Sequence, residues 1–152
     1  MDLGCSPGSW LLYAASQTGP GGEVIGFDLK PVLIQVPPNV SIHTGDILSL
    51  DQKLRDLIGN GFNVTLSDMA PDTTGNKNVD TARSFALCQS ALSFCQDVLL
   101  RDGSFVCKIF QGADFEAFLE LVKKGFKRYK IFKPQSSRKR SREIYIVALG
   151  KK

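Results

Sequence analysis

Four acids and a lysine stand where a nucleoside-like cofactor could be held and a proton moved. Asp28 closes the β-prone run Val24-Ile25-Gly26-Phe27-Asp28, and Asp46 follows the run Val40 to His43. Asp68 closes Phe62 to Asp68, in the string Ser67-Asp68-Met69-Ala70-Pro71, and Lys108 closes Ser104 to Lys108. Glu143 opens a last run through Val147. A carboxylate at Asp28 can accept both hydroxyls of a ribose, and one at Asp46 can accept from an adenine amino group. Singly, each acid is more often a turn or helix cap. Three of them at successive strand ends after a glycine turn make chance capping the weaker account. A lysine inside the apolar stretch Val106 to Phe110 is costly unless paired; snorkelling to the surface is the plain alternative, but a strand end beside Asp68 favours a functional charge, and Glu143 could pair with it. Glu143 has a second choice of partner in its neighbouring arginines.

The glycine turn is Asp2-Leu3-Gly4-Cys5-Ser6-Pro7-Gly8-Ser9-Trp10. Its glycines are four apart, which is not the G-x-G-x-x-G of dinucleotide sites. The turn needs a strand before it, yet only three residues precede Gly4, so a clipped first strand and an absent upstream segment are expected.

These residues need elements to carry them. Short β-prone runs alternate with segments of helical apolar spacing at about 8 to 17, 50 to 58, 79 to 100 and 113 to 124, which implies parallel crossover units. The fold class is therefore α/β, a mostly parallel sheet with helices on both faces. Two further strands, Arg128 to Lys133 and Glu143 to Leu149, suit an antiparallel hairpin at one edge. With 152 residues and 43% hydrophobic content, a single domain is expected over residues 1–152.

Composition removes several classes. No apolar run is long enough for a membrane helix, and no signal segment follows Met1, so a soluble cytoplasmic protein without membrane contact is expected. Cys5, Cys88, Cys95 and Cys107 match no zinc spacing and read as reduced, buried thiols. His43 is the only histidine, so no metal site and no role for His43 is assigned. Charge is separated in blocks: residues 1–122 hold 7 Lys and Arg against 14 acids, residues 123–152 hold 12 against 1. The basic block points to a polyanion. Lys123, Lys124, Lys127, Arg128, Lys130 and Lys133 are candidate phosphate contacts, with Arg138, Lys139, Arg140 and Arg142 closer to the site.

Together, Asp2 to Trp10, Ser67 to Pro71, Cys107 to Gly112 and the string Ser136 to Ala148 resemble the RrmJ/FtsJ (RlmE) family of ribosomal RNA 2′-O-methyltransferases. The resemblance runs in order along essentially the whole chain. It implies a Rossmann-like sheet that binds S-adenosylmethionine and methylates a uridine ribose of large-subunit (23S) ribosomal RNA, alone or within the subunit, as a monomer. By position, Gly8, Trp10, Asp28, Asp46 and Asp68 match the family's cofactor-binding residues. Asp68, Lys108 and Glu143 match the last three of its Lys-Asp-Lys-Glu catalytic set; the first lysine precedes the glycine turn and has no counterpart. Such a transfer is an in-line displacement with reacting atoms about 3–3.5 Å apart, and a base must take the 2′-OH proton, a role that falls to Lys108. Two rivals are a nicotinamide-dependent oxidoreductase, which leaves the glycine spacing and basic block unexplained, and a catalytically silent RNA-binding fragment of the same family.

Overall fold

A computed structural model describes every residue other than 50–54, 57, 136, 139 and 140. The chain forms two compact units, Met1–Gly59 and Asn60–Lys152.

In the first unit, β1 (Asp2–Leu3), β2 (Val24–Asp28) and β3 (Val40–Thr44) pair in parallel in the order β3-β2-β1. The helix α1 (Ser9–Thr18) follows the glycine turn and buries Leu11 and Ala15, one helical turn apart. These two pack with Cys5 and Val24, and Val32, Val36, Val40 and Ile42 close the cluster at its margin. His43 stacks on Phe27 with ring centroids 5.0 Å apart. β1 is two residues long. Of the helical segment expected over 50 to 58, Arg55, Asp56 and Ile58 are helical, preceded by a short 3-10 turn at Ile47–Ser49; the remainder lies outside the described residues.

The second unit orders its strands β4-β5-β7-β6, where β4 is Phe62–Ser67, β5 Leu99–Phe110, β6 Phe126–Phe132 and β7 Glu143–Lys151. β4 and β5 run parallel; β5–β7 and β6–β7 run antiparallel, so the expected terminal hairpin is present with β7 inside it and β6 outermost. Helix α2 (Lys77–Val98) starts under an Asn76 cap whose side chain accepts from the Asn78 and Val79 N–H groups, satisfying two donors that the helix cannot. Its buried side chains recur every three or four residues from Asp80 to Val98. Helix α3 (Phe115–Gly125) buries Phe118, Leu119 and Val122. Phe85 meets Phe118 edge-on and Phe105 stacks on Phe126. No helix among the described residues is long and apolar enough to cross a membrane.

β5 starts five residues earlier than the sequence suggests. Arg101-Asp102-Gly103 looks like a turn, but Asp102 takes φ 66° inside the strand, and the β4–β5 register shifts between Phe62 and Val64. A bulge absorbs the turn-forming residues without ending the strand.

Candidate functional site

The strand tips of the first unit carry a set of hydrogen-bond acceptors. Gly8 sits before α1 at φ 117°, a conformation that only glycine adopts without strain, and its carbonyl accepts the Leu12 N–H at 2.9 Å. The Asp28 carboxylate holds this turn in place: Oδ2 accepts the Ser6 N–H and Oδ1 the Lys30 N–H, both at 2.8 Å. Asp46 Oδ1 accepts the Leu48 N–H at 2.8 Å, and the Gly45 N–H donates to the Asp28 carbonyl at 2.9 Å, so the tips of β2 and β3 are tied together. Both acids therefore do the capping work that acids at such positions commonly do. A carboxylate oxygen has two lone pairs, so one backbone bond leaves each of these oxygens able to accept again. Trp10 is the second residue of α1 and half-buried. Cys5, beneath the turn, is pushed up to about 12 by burial and then by the Asp2 and Asp28 charges, so it stays a neutral thiol.

In the second unit Lys108 is paired: its Nζ lies 2.9 Å from Asp68 Oδ1, with the lysine side chain 11% exposed and the aspartate 32%. Along β5 and β7 burial alternates, so Cys107, Ile109, Ile144 and Ile146 face the core and Lys108, Phe110, Glu143 and Tyr145 share the other face. Lys108 is the register partner of Tyr145, and Phe110 of Glu143. Glu143 Oε2 accepts from the Ser141 hydroxyl at 3.3 Å; among the described residues it forms no ion pair with Lys108 or with an arginine, so neither expected partner is realised there. Burial, followed by the Asp68 and Glu143 carboxylates, raises the Tyr145 phenol above its ordinary value, which places that ring among the charges of the site. Tyr145 lies inside the last β-prone run, Glu143 to Val147, and was not among the candidates. Its signal was available: two strands that antiparallel pairing brings side by side, each with one polar residue in an apolar run.

The four thiols are free and buried. Cys88 Sγ donates to the Lys108 carbonyl at 3.0 Å, and burial drives Cys107 well above the ordinary thiol value. They are packing residues beneath the site.

The basic candidates divide into two groups. On α3 and β6, Lys123 is paired to Glu120 Oε1 at 2.6 Å and sits 5.7 Å from the Tyr129 ring, and Lys127 is paired to Asp102. Lys124, Arg128 and Lys130 lie exposed on the same two elements. In the loop before β7, Lys133 Nζ donates to the Ser141 carbonyl at 2.9 Å, and Arg138 and Arg142 line a cleft of about 710 Å³ with Lys77, Glu143 and Tyr145. Lys139 and Arg140 lie outside the described residues. Lys77 was missed because it sits in the acidic block, residues 1–122.

A family model described as FtsJ-like methyltransferase matches residues 1–151. The ribosomal RNA large subunit methyltransferase E of Desulforapulum autotrophicum is 55% identical over 152 residues, covering 100% of this chain and 75% of that protein. Among solved structures, one described as a ribosomal RNA methyltransferase from Plasmodium falciparum has a TM-score of 0.84 at 29% identity, covering 99% of this chain and 84% of the other. Human methyltransferase-like protein 13 in complex with SAH has a TM-score of 0.68 at 14% identity, covering 97% and 69%. The α/β architecture expected from the sequence is thus the Rossmann-like fold of S-adenosylmethionine-dependent methyltransferases.

Proposed function

The chain belongs to the FtsJ-like methyltransferase family, and we propose that it moves a methyl group from S-adenosylmethionine to the ribose 2′-hydroxyl of a uridine in 23S ribosomal RNA. The name of the Desulforapulum relative supports the RNA class, and the motifs at Ser67–Pro71, Cys107–Gly112 and Ser136–Ala148 support the position of transfer. We take both units as parts of one methyltransferase domain, because one family model runs through them. A cytoplasmic monomer is the corresponding form.

The donor set suits the cofactor. Its ribose hydroxyls and adenine amine are donors and its sulfonium is a cation, and the first unit offers carboxylates at Asp28 and Asp46 with lone pairs to spare, beside a glycine turn free of side chain at Gly8. When bound, S-adenosylmethionine supplies an electrophilic methyl group. Asp28 and Asp46 orient it through those acceptors, and Trp10 offers an aromatic surface beside the turn. Lys108 Nζ takes or steers the proton that leaves the 2′-hydroxyl, and Asp68 fixes the amine in place through the 2.9 Å contact. Glu143 and Tyr145 border the same face of the sheet and limit where the ribose can sit. Arg138, Arg142 and the cations of α3 and β6 hold the RNA through its phosphates.

The observation that carries this reading is the Lys108–Asp68 pair at the tips of adjacent parallel strands. The test is transfer of tritiated methyl from S-adenosylmethionine to ribosomal RNA from a strain lacking this activity, followed by nuclease digestion. Label recovered in 2′-O-methyluridine is the expected result. Label on a base, or no transfer to RNA, contradicts it.

A further inference from the structure

The cleft beside Glu143 and Tyr145 also has lining residues, Lys77 and Phe110 among them, to which the methyl transfer itself gives no part. At about 710 Å³ it falls in the range of small-ligand pockets, about 300–1,000 Å³, and it is larger than a ribose requires. Its walls come from four places: the first turns of α2, the tip of β5, the loop leading into β7 and the start of β7 itself. These walls are built. The Gln111 N–H donates to the Arg142 carbonyl at 2.9 Å and Lys133 braces Ser141, so the loop is fastened to β5 and to itself. Gly112 lets α2 approach closely, since a Cβ there would lie 2.6 Å from Thr81 Cβ.

The charges in this lining differ from those on α3 and β6. Among the described residues, Lys77, Arg138 and Arg142 enter no ion pair, whereas Lys123 and Lys127 each have an acid of their own. The acids nearby are engaged: Asp80 Oδ1 accepts from the Thr74 N–H and hydroxyl, both at 2.8 Å, and Glu143 accepts from Ser141. Three cations against the two hydrogen-bonded carboxylates of Asp80 and Glu143 leave this lining net positive, which suits an anion. Two half-buried rings, Phe110 and Tyr145, stand in the same lining. A cationic groove interleaved with aromatic rings is how single-stranded nucleic acid is held, phosphates on the cations and bases on the ring faces.

We propose that this cleft seats a nucleotide adjoining the one that is methylated, its phosphodiester against Lys77, Arg138 and Arg142 and its base against Phe110 and Tyr145. The proposal rests on the reading of the site as an RNA 2′-O-methyltransferase and adds a residue, Lys77, from outside the basic block. It makes the cleft the place where the strand is gripped and its target ribose presented, and it makes the paired Lys123 and Lys127 minor contributors.

The test compares Lys77→Gln and Phe110→Leu with Arg101→Gln, an exposed cation near the other end of β5 that removes the same charge. For each full-length variant the KM for 23S ribosomal RNA, the salt dependence of RNA binding, the affinity for S-adenosylmethionine and the melting temperature are measured. Lys77→Gln is expected to raise KM about tenfold and to lower the salt slope by about 0.7–0.9, as loss of one phosphate contact requires, with cofactor affinity retained. Phe110→Leu is expected to raise KM without changing the slope. Lys77→Gln behaving like Arg101→Gln overturns the proposal. Should the wild-type chain methylate no RNA, the functional reading fails on its own, and the salt slopes still decide whether Lys77 meets a phosphate.

Discussion

Acids stand at strand tips in both units, and their partners differ. In Met1–Gly59 the Asp28 and Asp46 carboxylates accept backbone N–H groups and so hold loops. In Asn60–Lys152 the Asp68 carboxylate meets an amine and so holds a side chain largely withdrawn from water. The same residue type at the same kind of place fastens backbone in one unit and compensates a buried amine in the other; in the proposed function the first serves cofactor binding and the second proton handling. What decides is the residue opposite: a rigid amide fixes geometry, whereas a lysine that is 11% exposed is a charge removed from water that must be compensated.

That contrast can be broken one residue at a time. The largest effect is expected at Lys108→Ala, with methyl transfer down by about 10²–10⁴-fold, the usual contribution of a positioned acid or base, as measured by single-turnover label transfer. Gly8→Ala forces a side chain into φ 117°; about 1–3 kcal/mol of stability should be lost in urea melts, with at least about a tenfold weaker cofactor affinity by calorimetry. Asp28→Ala leaves the part-buried Ser6 N–H without its acceptor, while the exposed Lys30 N–H can turn to water, and should cost about 1 kcal/mol in the same melts. The smallest effect concerns pH. The Thr74 backbone N–H, with its hydroxyl, holds the Asp80 carboxyl below its ordinary 3.8. A depressed folded value means that the stabilisation is complete above that ordinary value and disappears as pH falls through the lowered one. Asp80→Asn should lower the melting temperature slightly at neutral pH and flatten the acid limb of the profile, the two proteins converging once pH falls below the lowered value.

Much of the fold was legible because its signals are local. The glycine turn, the runs ending in Asp28, Asp68 and Lys108, and the apolar spacing of α2 each follow from a few neighbouring residues, and α2 was placed within two residues of its observed ends. Arg101-Asp102-Gly103 misled because turn propensity is local, while continuation of β5 depends on strands that pair with it from far along the chain. A charge partner for Lys108 could be anticipated from the cost of burying an amine. Lys77 could not, since its place beside Arg138 and Arg142 arises from how α2 packs on β5, and counting charges along the sequence put it in the acidic block. The engagement of Lys123 and Lys127 by Glu120 and Asp102 was hidden for the same reason.

The division of labour between the two units is tested most directly by measuring cofactor dissociation constants and single-turnover transfer rates for Lys108→Ala and Asp28→Ala side by side. The expected pattern is crossed: Lys108→Ala binds S-adenosylmethionine like the wild type and transfers almost nothing, while Asp28→Ala binds weakly and recovers its transfer rate when cofactor is raised. Equal loss of binding in both variants, or undiminished transfer by Lys108→Ala, would contradict it.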